Sequence, residues 1–242
     1  MGGFLGRIGR ALARLGEPGP PRLEVLWPYA PGSPGRVGVV SGSFDPMTLA
    51  HAALADALGS AAGLVLFVYS PGTLPKETGP GGDPGPPLLD PRDRVASLLA
   101  YCRSRPGRGV ALCSHGLYAD QAEAARTAFP GSEIVFGMGS DKVIQLWDPA
   151  WYGSGEANRD SALDRLLSTA RLAYAVRRGE EDRLAEALDE AGRWADRMER
   201  LAFPPELAGL SSRRVREEIA SGRDVTELVP AEVMPFLERG SR

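Results

Sequence analysis

Two kinds of apolar pattern alternate along this chain. Short unbroken apolar stretches recur at residues 36–41 (RVGVVS), 63–69 (GLVLFVY), 109–113 (GVALC), 133–137 (EIVFG) and 171–178 (RLAYAVRR). Such runs suit strands buried on both faces of a parallel sheet. Between them lie residues 50–61, rich in good helix formers, residues 91–104, with proline in the first turn and apolar residues at helical spacing, and a helical pattern at 119–128. The alternation predicts an α/β fold, a Rossmann-like parallel sheet with helices on both faces and right-handed crossovers. A charged stretch at 180–200 reads as one solvated amphipathic helix. The chain end reads as a C-terminal helical segment: a cap at Ser211 or Ser212, a helix, a glycine stop and a short final helix. No internal repeat is present.

The ends of this pattern set the expected organisation. Pro and Gly crowd residues 17–35, which predicts an irregular linker around one short apolar run. The expectation is an N-terminal extension and linker over 1–34 and one domain over 35–242. Residues 4–15 form a basic amphipathic pattern, with Phe4, Ile8, Leu12 and Leu15 on one side and Arg7, Arg10 and Arg14 elsewhere. Two roles fit it: a helix that docks on a membrane surface or partner, or an appendage packed on the domain or left disordered. Residues 71–90 hold the run GPGGDPGPP, which predicts an irregular mobile loop.

Charge and composition remove several function classes. Charged residues are 24% of the 242 and the net charge is −3, so the basic field expected of a nucleic-acid binder is missing. Cys102 and Cys113 are too few for a disulfide framework, and no Cys/His group has zinc-site spacing. No stretch approaches the roughly 20 apolar residues that span a bilayer, and the N-terminus lacks the core and cleavage site of a secretory signal. A cytoplasmic protein with no membrane span and no nucleic-acid partner is expected.

The candidate chemistry sits in three segments. Gly42-Ser43-Phe44-Asp45-Pro46-Met47-Thr48-Leu49-Ala50-His51 joins the first domain strand to its helix. A small residue there lets phosphate approach the backbone, and a helix start directs free N–H groups and positive potential at the anion. Thr48 and His51, three residues apart, would lie side by side on the first turn. His51 could neutralise charge growing on the bridging oxygen as pyrophosphate leaves, with Thr48 a hydroxyl donor. Gly139 and Asp141, after the strand at 133–137, lie where open α/β sheets bind nucleotides, and Asp141 could also cap the next helix. Ser211, Ser212 and Arg216 at another helix start could hold a triphosphate from the opposite side. The only other histidine, His115, lies outside these segments.

The segment 42–51 resembles the signature loop of the nucleotidyltransferase superfamily, G-x-F-D-P followed by H/T-x-G-H. Leu210-Ser211-Ser212-Arg213-Arg214-Val215-Arg216 is similar to its C-terminal I-S-S-T-x-x-R element. Ala50 stands where the family has Gly, and Arg213 where it has Thr; Thr48 is like pantetheine-phosphate adenylyltransferase. The resemblance, over about residues 36–238, is strongest to nicotinate or nicotinamide mononucleotide adenylyltransferases. It implies transfer of AMP from ATP to a phosphorylated acceptor, with Mg²⁺ held mainly by phosphates and water. ATP contacts fall on Gly42, Ser43, Phe44, Asp45, His51, Gly139, Asp141, Ser211, Ser212 and Arg216. Acceptor contacts fall on Lys76, Arg94, Trp147, Trp151 and Arg177, with Trp151 preferred for stacking on a pyridine ring. A homo-oligomer is compatible with the resemblance. The alternatives are adenylyl or cytidylyl transfer to another phosphorylated metabolite, and a nucleotide-binding regulator without turnover. A dinucleotide-dependent hydride-transfer enzyme is disfavoured, because the first strand leads into G-S-F-D-P rather than G-x-G-x-x-G.

Overall fold

The apolar runs pair into one sheet. The computed structural model describes residues 2–28, 32–70, 87–152 and 156–240, so most of the expected loop at 71–90 lies outside the described residues. The strands are β1 (Leu23–Trp27), β2 (Arg36–Ser41), β3 (Leu64–Tyr69), β4 (Arg108–Cys113), β5 (Glu133–Gly139), β6 (Ala170–Ala175) and β7 (Met198–Arg200). Their order across the sheet is β1-β4-β3-β2-β5-β6-β7. All neighbours are parallel except β1 and β4. β2 leads to β3 on one side, and β5 lies on its other side, so the chain reverses its winding direction there. That reversal opens a crevice at the carboxyl ends of β2 and β5.

Alternate residues of the central strands enter two separate cores, as strand geometry requires. Val40, Val65, Phe67 and Tyr69 pack with α1 (Gly2–Leu15), α2 (Leu49–Gly59), α3 (Pro91–Arg103), α8 (Ser212–Ala220) and α9 (Met234–Gly240). Val37, Val39, Leu66 and Val68 pack with α4 (Tyr118–Ala128), α5 (Ser140–Trp147), α6 (Glu156–Thr169) and α7 (Glu181–Glu190). Helices therefore cover both faces, as the alternation of patterns implies. Among the described residues no helix is long and apolar enough to cross a membrane.

Helix α2 carries the candidate catalytic turn, and glycines let it lie close to the sheet. Its buried residues are Ala52, Leu54, Ala55 and Leu58. A Cβ at Gly137 would fall 2.4 Å from Leu58 Cδ1, and one at Gly38 would fall 3.1 Å from Val65 Cγ2 and 3.3 Å from Leu58 Cβ. The missing side chain at Gly137 thus admits the helix.

The N-terminal residues join the same sheet and core. Ile8, Ala11 and Leu15 of α1 are buried, and α1 packs on α3. This agrees with a packed appendage rather than with a free membrane-docking face. The apolar run inside the supposed linker is β1, paired antiparallel with β4 from Leu23 opposite Cys113 to Trp27 opposite Val110. The expected single helix at 180–200 is also corrected. α7 stops at Glu190, Gly192 takes φ +46°, a 3₁₀ turn follows, and Met198–Arg200 pairs with β6 as β7. A positive φ suits glycine and breaks the α-helical run.

Gly137→Ala should lower unfolding stability by about 1–3 kcal/mol, because the buried Leu58 must shift to admit the methyl. A urea titration measures it, and the midpoint should fall.

Candidate active site

Thr48 starts α2 as its N-cap, in extended backbone with φ −119° and ψ 166°. Its hydroxyl accepts the His51 N–H at 3.4 Å, and its own N–H donates to His51 Nδ1 at 3.0 Å. This is a reciprocal capping box in which histidine takes the place of the usual Glu or Gln. A backbone N–H can only donate, so Nδ1 presents its lone pair and the neutral ring carries its proton on Nε2. The Thr48 hydroxyl lies 2.8 Å from the same Nδ1. Phe44, fully buried at φ +46°, sets its ring edge-on to the imidazole at 5.2 Å and to Phe67 at 5.8 Å. The imidazole is thus held on two sides, and one donor nitrogen is directed by the cap. The Leu49 N–H is taken by the Leu228 carbonyl at 3.0 Å.

The loop before the cap is framed by Asp45, which is only 5% exposed. Its carboxylate accepts the N–H groups of Leu88 at 3.2 Å and Leu89 at 2.8 Å, and it pairs with Arg94 at 3.3 Å. Arg94 also donates to the carbonyls of Leu89 at 2.8 Å and Ser43 at 3.3 Å. Asp45 and Arg94 were expected at ATP and at the acceptor; in the structure their charges hold the loop. The N–H of Gly42 donates to the Val68 carbonyl at 3.2 Å, tying the loop to the end of β3.

Helix α8 closes on this loop from a distant part of the chain. Ser211 is its N-cap and accepts the Arg214 N–H at 3.2 Å. The Ser212 hydroxyl donates to the Pro46 carbonyl at 2.8 Å, and Arg216 donates to the Asp45 carbonyl at 2.7 Å, with the Asp45 carboxylate 3.7 Å away. Two helix N-termini therefore stand beside one loop, each adding partial positive charge to the same space. Arg213 is exposed next to the cap.

The ends of β5 and β6 supply a third side. A Cβ at Gly139 would fall 2.5 Å from Asp141 Oδ1 and 3.1 Å from Arg177 Cδ, so glycine lets both side chains cross it. Asp141 is in the first turn of α5 and makes no cap bond; its carboxylate faces Arg177 at 3.5 Å. Arg177 also reaches the Leu210 carbonyl at 3.5 Å, one residue before the α8 cap. Beside it lies a cavity of about 540 Å³ lined by Val176, Arg178, Leu201, Phe203, Pro205 and Ala208, among others. Tyr118, at the start of α4, sits edge-on to Phe136 at 5.6 Å. Burial, and after it the Asp141 charge, hold its phenol above the usual value.

The remaining expected residues divide. Trp147 is 5% exposed and packs edge-on to Trp194 at 6.4 Å, on the same buried helix face as Val143 and Leu146. Its helical phase makes it core rather than a stacking surface for an acceptor. Trp151 is half-buried beyond the end of α5, next to Tyr152, whose hydroxyl donates to the Leu146 carbonyl at 3.0 Å. Lys76 lies outside the described residues. His115 follows β4, its Nδ1 2.8 Å from the Ser114 hydroxyl and its carbonyl accepting from Ser70 at 3.0 Å. Sequence reasoning passed over Ser140, which is fully buried and bonds to Glu180 and Arg177. Its place inside Gly139-Ser140-Asp141 was the only signal. Among the described residues no three or more His, Cys, Asp or Glu side chains gather as a metal site.

No protein-family model matches the chain. A Thermomicrobium roseum protein named "Probable nicotinate-nucleotide adenylyltransferase" is 25% identical over 209 residues, covering 84% of this chain and 89% of its own. One of the same name from Aeromonas salmonicida is 24% identical over 219 residues, covering 84% and 94%. Among solved structures, Plasmodium falciparum nicotinic acid mononucleotide adenylyltransferase complexed with APC superposes with a TM-score of 0.55 at 14% identity, covering 86% of this chain and 96% of that one. The same enzyme complexed with NaAD gives 0.55 at 13% identity, covering 84% and 95%. In class, the chain is a nucleotidyltransferase-like α/β protein. Within that class it is similar in sequence to the nicotinate-nucleotide adenylyltransferases, and it shares their fold.

Asp45→Ala would leave Arg94 and Arg216 facing an emptied, buried position. Stability should fall by about 3–5 kcal/mol, read as a lower denaturant midpoint; an unchanged midpoint would contradict the framing role.

Proposed function

We propose that this protein transfers the AMP part of ATP to the phosphate of nicotinate mononucleotide, giving the dinucleotide and pyrophosphate. The observation that carries the reading is the meeting of the α2 and α8 N-termini around the Asp45–Pro46 loop, with the cap directing His51. The names of the sequence relatives, and the APC and NaAD complexes of the Plasmodium enzyme, support the nucleotide and the acceptor.

In this mechanism a phosphate oxygen of the acceptor attacks the α-phosphorus of ATP in line. The bond to the bridging oxygen breaks, and pyrophosphate leaves with that oxygen. The nucleophile is already anionic, so the protein needs no general base; it holds two anions together and stabilises negative charge that spreads in the transition state. Neutral His51 donates from Nε2 toward the α-phosphate and the bridging oxygen. The N-terminal turn of α8, with Ser211 and Arg216, faces the β- and γ-phosphates. Asp141 accepts from a ribose hydroxyl. Trp151 offers an aromatic surface to the pyridine ring, while Lys76 serves the acceptor phosphate.

The two oxygens of Asp45 are engaged by backbone N–H groups and arginines. The residues therefore fit a divalent cation carried by the triphosphate and water, as Mg²⁺ prefers. When bound, that cation would neutralise phosphate charge.

His51→Ala is the informative variant, because it removes the ring's Nε2–H and puts no other donor in its place. Turnover should drop by about 10²–10³-fold with ATP affinity nearly retained. Pyrophosphate release, measured with nicotinate mononucleotide, nicotinamide mononucleotide and phosphopantetheine, checks both parts. An unchanged turnover number refutes the role of His51, and release with phosphopantetheine alone refutes the acceptor.

A further inference from the structure

Ser140 has no exposure at all, yet its side chain is polar and it directly follows the carboxyl end of β5. Its hydroxyl donates to Glu180 Oε2 at 2.5 Å and accepts the backbone N–H of Arg177 at 2.9 Å. Arg177 and Glu180 begin and end the tight turn after β6. The Glu180 N–H donates to the Arg177 carbonyl at 3.2 Å, and Gly179 takes φ +80°. One buried hydroxyl thus grips the turn at both ends and ties it to the first residue of α5.

The grip controls where the Arg177 side chain starts. Its stem crosses Gly139, where a Cβ would be 3.1 Å from Cδ, and its head spans Asp141 Oδ1 and the Leu210 carbonyl, both at 3.5 Å. The Arg177 backbone N–H is held at 2.9 Å, an ordinary hydrogen-bond length, and its guanidinium by two contacts at 3.5 Å. Such a head can turn toward a stronger acceptor while its origin stays fixed. Both of its present partners flank the nucleotide side: Asp141 in the ribose position, and Leu210 beside the α8 cap.

Resting on the adenylyl-transfer reading, we infer that Ser140 and Glu180 are positioning residues that aim Arg177 at the ATP ribose and triphosphate, and that Arg177 serves the nucleotide rather than the acceptor. A part-buried, charge-assisted hydrogen bond is suited to this work, because it is strong and directional. Its loss would leave the Arg177 N–H and the Glu180 carboxylate without their shared partner, and the turn would relax.

The test is steady-state kinetics of Ser140→Ala, Glu180→Ala and the double variant, with ATP and nicotinate mononucleotide varied separately, beside ATP dissociation constants from equilibrium titration. Each single variant should raise the ATP KM roughly tenfold, with kcat and the acceptor KM within about twofold. The double should be no worse than the worse single, as for two residues acting as one unit. Arg177→Ala should reproduce the ATP effect. An unchanged ATP KM in both singles, a rise confined to the acceptor KM, or effects that multiply in the double would overturn the inference. Thermal melting checks folding. If Ser140→Ala fails to fold, Glu180→Gln, which keeps an acceptor of the same size but no charge, should still raise the ATP KM, and no change there overturns the inference. If the wild type binds ATP but releases no pyrophosphate, the transfer reading fails by itself. The ATP dissociation constants then decide the clamp: weakening of about tenfold supports it, and equality overturns it.

Discussion

Ser212 donates its hydroxyl to the carbonyl of Pro46, 166 residues earlier in the chain, and Arg216 one turn later donates to the carbonyl of Asp45. Together with the burial of Val215 in the core that α2 shares, these bonds set where the start of α8 stands relative to α2. Each is modest by itself, about 1 kcal/mol net for a neutral bond and about 1.5–3 for one with a charged donor. Their weight comes from position. They join the last α/β unit's C-terminal helices to the loop at the sheet's winding reversal, and Leu49 N–H to Leu228 carbonyl adds a third tie. The loop can hold that place because Asp45, Arg94 and the Leu88 and Leu89 N–H groups satisfy one another beneath it.

The same economy of parts appears at the cap. His51 is at once a structural acceptor and the proposed phosphate donor. The cap bond at Nδ1 selects the tautomer, and Phe44 restricts the ring. If the proposed role holds, that donor is preorganised before any ligand arrives, which is the condition under which electrostatic stabilisation is most effective. Close seating of α2 over Gly38 and Gly137 carries that donor to the crevice. Sheet packing and site chemistry are therefore linked through one helix.

Much of this was readable from local sequence, because the physics involved is local. Unbroken apolar runs announce β2 to β6, and Thr48 and Ser211 announce helix starts through their own hydroxyls. What stayed hidden depends on partners far along the chain. β1 is five residues among prolines and glycines, and its pairing with β4 makes it a strand. β7 is three residues inside a charged stretch, stabilised by β6. α6 did carry a signal, Leu163, Leu166 and Leu167 at helical spacing, within otherwise charged surroundings. Asp45 and Arg94 look like ligand contacts by position, but their direction, inward, is a property of the folded loop. Trp147 and Trp151 look equivalent as residues, but Trp147 lies on the buried face of α5 and Trp151 lies beyond the end of that helix, while Ser140 and Glu180 are 40 residues apart and only the fold brings them together.

The most direct measurement is a crystal structure with a non-hydrolysable ATP analogue and Mg²⁺. A shared two-helix site predicts the α-phosphate within about 3 Å of His51 Nε2, with the outer phosphates at the N-terminal turn of α8. A triphosphate bound at one helix start alone, or lying away from the imidazole, would contradict it.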